Sequence, residues 1–220
     1  MALSAIIFDY GLVLSDPADP VAHQELVTIF GAPREDFERE YWAYRHAYDE
    51  GKFDGPGYWH RCASAAGVSL SDDQIWQLIA TDIRMWGKLN QSMVDWAVAI
   101  SKSGHIKTGI LSNIGFELAE AIKDQDWVRG LTYNTWSCEL RFAKPEPAIY
   151  HHVIDSLQVR AEEALFLDDR IENILSAESV GLQAILFRNV GQLQQDLQAR
   201  GLADLLPRLR AIDEVSAAAL

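Results

Sequence analysis

The chain has 220 residues, 49% hydrophobic and 23% charged, with 19 Lys+Arg against 32 Asp+Glu for a formal net charge of −13. That length suits one or two domains around a substantial core, and the apolar share excludes wholesale disorder. The acidic excess argues against a nucleic-acid binder, although a cleft with a few cations and a metal still admits a small anion.

Two cysteines, Cys62 and Cys138, are too few for a disulfide framework and read as reduced thiols of a cytoplasmic protein. The opening MALSAIIFDYG carries no basic segment, so no signal peptide is expected. No apolar stretch reaches the roughly 18–20 residues that span a bilayer, so no membrane partner is expected.

In chain order, Ala5–Phe8 is a short apolar run suited to a buried strand. From Asp16 to Lys88 the pattern is helical throughout, between Ser15-Asp16-Pro17-Ala18-Asp19-Pro20 and Gly87-Lys88-Leu89-Asn90. This predicts a helical cap domain over 16–88, leaving 1–15 and 89–220 as the core domain. Within the cap, Phe37, Tyr41, Tyr44 and Tyr48 share one helix face, the pattern of packing between helices. Arg45, His46 and Asp49 point elsewhere, where they are candidate ligand contacts.

Beyond the cap, Ser92–Ser101 reads as a helix, Thr108–Leu111 as a strand, Phe116–Ile122 as a helix and Leu131–Thr135 as a weaker strand. Pro147–Leu157 opens with a proline suited to a first helical turn. Ala164–Leu167 and Gln183–Phe187 complete the strands, and Gly191–Ile212 reads as one or two amphipathic helices with Pro207 at a boundary. A frayed tail is expected over Glu214–Leu220. Strands alternating with helices predict an α/β fold with a doubly wound, Rossmann-like parallel sheet.

The chemically informative residues fall just after the predicted strands, the edge where open α/β sheets bind ligands. Asp9, followed by Tyr10 and Gly11, offers a nucleophile, a metal ligand or a simple turn. Ser112-Asn113 offers a hydroxyl and backbone donors for an anion, or an ordinary helix cap. Lys144, held between restricted residues by Pro145 and Pro147, is a candidate point charge beside a phosphate, or a solvated loop lysine. Asp168-Asp169, with Asn173 beyond them, would repel unless a cation lies near; oxygen ligands and so few carboxylates favour Mg²⁺, and a helix N-terminal pair is the other reading.

Together, Phe8-Asp9-Tyr10-Gly11, Leu111-Ser112-Asn113, Lys144-Pro145 and Leu167-Asp168-Asp169 resemble the four ordered motifs of the haloacid dehalogenase-like (HAD) superfamily. The helical insert resembles that superfamily's C1-type cap, and the Phe-Asp-x-Gly-x-Val segment is similar to a subgroup that includes sugar-1-phosphate phosphatases. The motifs run from Asp9 to Asn173, and the layout covers nearly the whole chain.

The resemblance implies a Rossmann-like core with the first-motif strand beside the fourth-motif strand. Asp9 would form an aspartyl-phosphate, and Mg²⁺ would be held by Asp9, the Gly11 carbonyl and Asp169, with Asp168 direct or through water and Asn173 in support. Ser112 and the Asn113 N–H would bind phosphoryl oxygens, and Lys144 would balance charge on Asp9 and the phosphate. The implied activity is Mg²⁺-dependent hydrolysis of small phosphomonoesters, sugar phosphates among them, by a monomer or homodimer. Two positions depart from the family pattern. Gly11 stands where such phosphatases usually carry a general acid, and Arg141 stands where relatives often have glycine. His46 is the candidate replacement donor in the cap. A 2-haloacid dehalogenase and a catalytically weakened binding protein are the alternatives.

Overall fold

A computed structural model describes residues 3–205. Among the described residues, the strands β1 (Ala5–Phe8), β2 (Lys107–Ser112), β3 (Tyr133–Trp136), β4 (Ala164–Asp168) and β5 (Gln183–Leu186) form one parallel sheet in the order β3-β2-β1-β4-β5. The fold is therefore α/β with a doubly wound sheet. β1 pairs with β4 in the register Phe8↔Leu167, so Asp9 and Asp168 leave the sheet side by side. Strand order diverges to either side of β1, and ligands bind at the carboxyl edge of such a switch point.

Both faces of the sheet are covered, which is why its strands read as continuous apolar runs. Ile6 and Phe8 face one layer with Met93, Trp96, Leu118, Leu193 and Leu197. Those residues lie on α5 (Gln91–Ser103), α6 (Phe116–Lys123) and α11 (Val190–Ala199). Ala5 and Ile7 face the other layer with Ile149, Val153 and Ile174. These come from α9 (Pro147–Leu157) and α10 (Ile171–Ser179).

The intervening segment forms α1 (Pro20–Phe30), α2 (Arg34–Asp49), α3 (Gly55–Ala66) and α4 (Asp72–Trp86). They build a separate hydrophobic cluster from Leu26, Phe30, Phe37, Tyr41, Trp59 and Leu78. Phe37, Tyr41 and Tyr48 are buried and Tyr44 is half-buried. The two connections to the sheet run side by side: Ser15 and Leu89 form an antiparallel bridge, and the Asp16 N–H donates to the Lys88 carbonyl at 2.8 Å.

The helices touch the sheet layer again at the end of α2. The Tyr48 hydroxyl donates to Glu117 Oε2 at 2.6 Å, and the Ser137 hydroxyl donates to the Asp49 carbonyl at 2.5 Å. Gly115 permits this closeness, because a Cβ there would overlap the Tyr48 ring.

Two expectations need correction. The weak strand starts at Tyr133, not Leu131; Leu131 lies in the preceding turn, its N–H bonded to the Val128 carbonyl, and its apolar character serves the core beneath. Among the described residues the helix of the 191–212 stretch, α11, stops at Ala199, Gly201 turns left-handed (φ 73°), and a short 3-10 turn follows over Ala203–Leu205. Pro207, Ile212 and the tail Glu214–Leu220 lie outside the described residues. After β1, Tyr10–Leu14 forms a wide turn, kinked by an extended Gly11 and a left-handed Leu12 (φ 58°), and Asp9 Oδ1 accepts the Tyr10 N–H at its start.

Arg141 closes α8 (Ser137–Leu140) with a φ of 65°. Glycine adopts this left-handed conformation without steric cost, so the position is one where arginine is strained.

Candidate active site

The tip of β1 presents Asp9, buried with 7% exposure. Its Oδ1 accepts the Tyr10 N–H at 2.7 Å and faces Lys144 Nζ at 2.8 Å. Lys144 also donates to Asp168 Oδ2 at 2.6 Å, so one buried ammonium bridges two carboxylates from adjacent strands. The other oxygen of Asp168 accepts the Arg170 N–H and the Asn173 side-chain amide, each at 2.9 Å. Asp168 is thus fully enclosed and bonded on both oxygens, while Asp169 is half-buried beside it.

Lys144 is placed from β2 across the sheet edge. The Asn113 side chain accepts the Lys144 N–H and donates to the Lys144 carbonyl, both at 2.8 Å. Sequence reading assigned Asn113 only a backbone role; its side chain serves as a two-point clamp on the lysine backbone. Ser112 is buried at the end of β2, with its hydroxyl 3.5 Å from the Asn113 carbonyl, too long for a firm hydrogen bond.

Asp9, Asp168 and Asp169 each offer an oxygen within 4.8 Å of the others. Burial raises the Asp9 pKa to about 8, with Asp168 and Asp169 adding to the rise and Lys144 opposing it. Asp169 is also raised, first by burial and then by Asp168. Burial works against the Lys144 ammonium, yet Asp168 and Asp9 outweigh it and the pKa rises. A site this rich in negative charge has a deficit that a hard cation would satisfy.

Asp9, Ser112, Asn113, Lys144 and Asp169 line a cleft of about 480 Å³ between the sheet edge and the inserted helices, with Asp168 buried behind them. Gly11 lines it in an ordinary extended conformation (φ −62°, ψ 129°), and a Cβ there would meet nothing within 4 Å. No conformational demand therefore requires glycine at this position.

Arg45, His46 and Asp49 do reach the cleft, but not as free groups. Arg45 is buried and donates to Tyr41 at 2.6 Å, Asp82 at 2.9 Å and Asp49 at 3.1 Å. Burial raises the Asp49 carboxyl to about 6 against the pull of Arg45. His46 is exposed, with Nε2 3.3 Å from Glu50 Oε1. Sequence reading missed Trp42, Trp86 and Leu12 on the cleft wall. The readable signal was Trp42 itself, a tryptophan one turn from His46 on the polar side of α2.

The haloacid dehalogenase-like hydrolase family model matches residues 4–181, which carry every one of these side chains. The chain belongs to that family. Bifunctional epoxide hydrolase 2 of Mus musculus is 25% identical over 147 residues, covering 64% of this chain and 26% of that protein. The chain thus spans about a quarter of the length of the curated relative it matches first. The sesquiterpene phosphatase astK of Aspergillus oryzae is 26% identical over 187 residues, covering 81% of this chain and 86% of that protein. The solved structure of a HAD family enzyme from Bacteroides thetaiotaomicron, in complex with magnesium and inorganic phosphate, superposes with a TM-score of 0.70 at 18% identity. That match covers 85% of this chain and 95% of the other. Among the described residues no helix is long and apolar enough to cross a membrane.

Proposed function

We propose that this chain is a Mg²⁺-dependent phosphatase of small phosphomonoesters, with Asp9 as the nucleophile. The observation that carries it is Lys144 bridging Asp9 and the buried Asp168, with Asp9, Lys144 and Asp169 all on one cleft. An oxygen-only donor set with three carboxylates to one ammonium fits Mg²⁺. Asp9, Asp169 and the Gly11 carbonyl would hold the ion, with Asp168 in the same cluster and fixed in place by Asn173. When bound, Mg²⁺ supplies positive charge for the phosphoryl oxygens.

The chain's own groups do the rest. An oxygen of Asp9 attacks phosphorus, and the bond to the leaving oxygen breaks. Lys144 holds Asp9 in place and, together with a bound Mg²⁺, would favour its ionised form against the proton that burial favours. Ser112 and the Asn113 N–H bind the transferring oxygens, at the anion-binding edge of the sheet. Water then hydrolyses the aspartyl-phosphate and frees Asp9. Residues 16–88 act as the cap over a core of 1–15 and 89–220, and the leaving group sits between them. The phosphatase relative supports this reading. A dehalogenase would have no use for the three close carboxylates.

The test is phosphate release from acetyl phosphate and 4-nitrophenyl phosphate, with Mg²⁺ and with EDTA. Release with Mg²⁺, its loss in EDTA and its return on adding Mg²⁺ are expected. Metal-independent halide release from a 2-haloacid, without phosphate release, would overturn it.

A further inference from the structure

We propose that the leaving group taken by this cleft is an apolar alcohol, hydrocarbon or aryl, rather than a polyol. The inference rests on the phosphatase reading and deepens it. The cleft is lined by Leu12, Trp42, Trp86, Ile114 and Leu118 beside its polar groups. Among the described residues only six large apolar side chains are exposed, and two of them, Trp42 at 57% and Leu12 at 38%, lie on this cleft. Apolar surface held open to water beside a reaction centre gains free energy when a substrate covers it.

The indole of Trp42 is held in place, edge-on to Tyr41 at 4.9 Å and to Trp86 at 6.4 Å between ring centres. Most of the polar groups nearby are already used within the protein. Trp86 Nε1 donates to the Tyr41 hydroxyl at 3.0 Å, and the Tyr10 hydroxyl donates to the Trp86 carbonyl at 3.1 Å. Arg45 is spent on Asp82, Asp49 and Tyr41, and His46 faces Glu50. A sugar entering here would surrender water from several hydroxyls and find few partners. A hydrocarbon or aromatic group has nothing to lose and covers the indole. The sugar phosphates suggested by the sequence resemblance are thus the poorer fit.

The experiment uses n-alkyl phosphates from ethyl to octyl, with glucose 6-phosphate as the polyol. The primary alcohols leave with similar difficulty, so chain length reports contact alone. In wild type, kcat/KM is expected to rise about two- to fourfold per methylene until the cleft is filled, with glucose 6-phosphate at or below ethyl phosphate. Trp42→Ala should flatten that slope through KM, Trp42→Phe should keep most of it, and Trp76→Ala, an exposed tryptophan off the cleft, should leave it unchanged. Acetyl phosphate separates the two claims. If wild type with Mg²⁺ fails on acetyl phosphate as on every ester, the phosphatase reading falls. If acetyl phosphate turns over but the alkyl series is flat, or glucose 6-phosphate is preferred, the apolar leaving group is overturned. An unchanged slope in Trp42→Ala overturns it equally.

Discussion

Gly11→Asp places a carboxyl two residues beyond Asp9, on the cleft wall, at a position where the backbone conformation (φ −62°, ψ 129°) accepts any L-residue. A Cβ meets nothing within 4 Å, so the variant should fold. In wild type the leaving oxygen has no carboxyl at this position to protonate it. Phosphoryl transfer through a loose transition state then leaves negative charge on that oxygen, and rates should fall steeply as the alcohol becomes less acidic. A positioned acid contributes about 10²–10⁴-fold, or roughly 3–5 kcal/mol of barrier at about 1.4 kcal/mol per decade. The new carboxyl would join Asp9, Asp168 and Asp169 with Lys144 as the ammonium between them, and like charge raises its pKa, which keeps it protonated as a donor. The assay is kcat/KM across aryl and alkyl phosphates of graded leaving-group pKa. A steep wild-type line should flatten in Gly11→Asp, with gains approaching 10²-fold on alkyl phosphates and little change on acetyl phosphate. A flat wild-type line refutes the reasoning and moves the donor elsewhere on the cleft, where Asp49 titrates near 6.

Lys144→Ala leaves Asp9 and the enclosed Asp168 facing each other without their cation. Removing one partner of a buried pair costs about 3–5 kcal/mol, so thermal unfolding at neutral pH should drop sharply, with partial rescue by Mg²⁺; an unchanged Tm would deny the bridge. The Asp9 carboxyl, raised to about 8, holds a proton in the folded metal-free protein that the unfolded chain has lost. The metal-free protein should therefore lose stability as pH rises from about 4 toward 8. Proton and cation compete for the same oxygens, so Mg²⁺ affinity should climb with pH and level off above 8; calorimetric titration at several pH values reads the trend. Arg141→Gly relieves a left-handed φ of 65° at the expense of backbone entropy, so a stability change within about 1 kcal/mol in the stabilising direction is expected, read as Tm.

Much of this architecture was legible in the sequence. β1 and α9 begin and end where the pattern places them, because a four-residue apolar run and an N-terminal proline are local signals. The residues that the strands deliver to the sheet edge were readable for the same reason. What escaped depended on partners far apart in the chain. Arg45 looked available for a ligand because its main partner, Asp82, lies 37 residues away on α4. The clamp of Asn113 on Lys144 spans 31 residues. Leu131 shows the converse, an apolar residue in a turn whose burial comes from the core beneath and not from a ladder.

The central claim is that Asp9 carries the phosphoryl group during turnover. Rapid acid quenching of the Mg²⁺-loaded protein mixed with acetyl phosphate, followed by peptide mapping, tests it directly. The account predicts a hydroxylamine-labile phosphoryl group on the peptide containing Asp9, absent in Asp9→Asn and absent when EDTA replaces Mg²⁺. A phosphoryl group on any other residue, or undiminished phosphate release by Asp9→Asn, would contradict it.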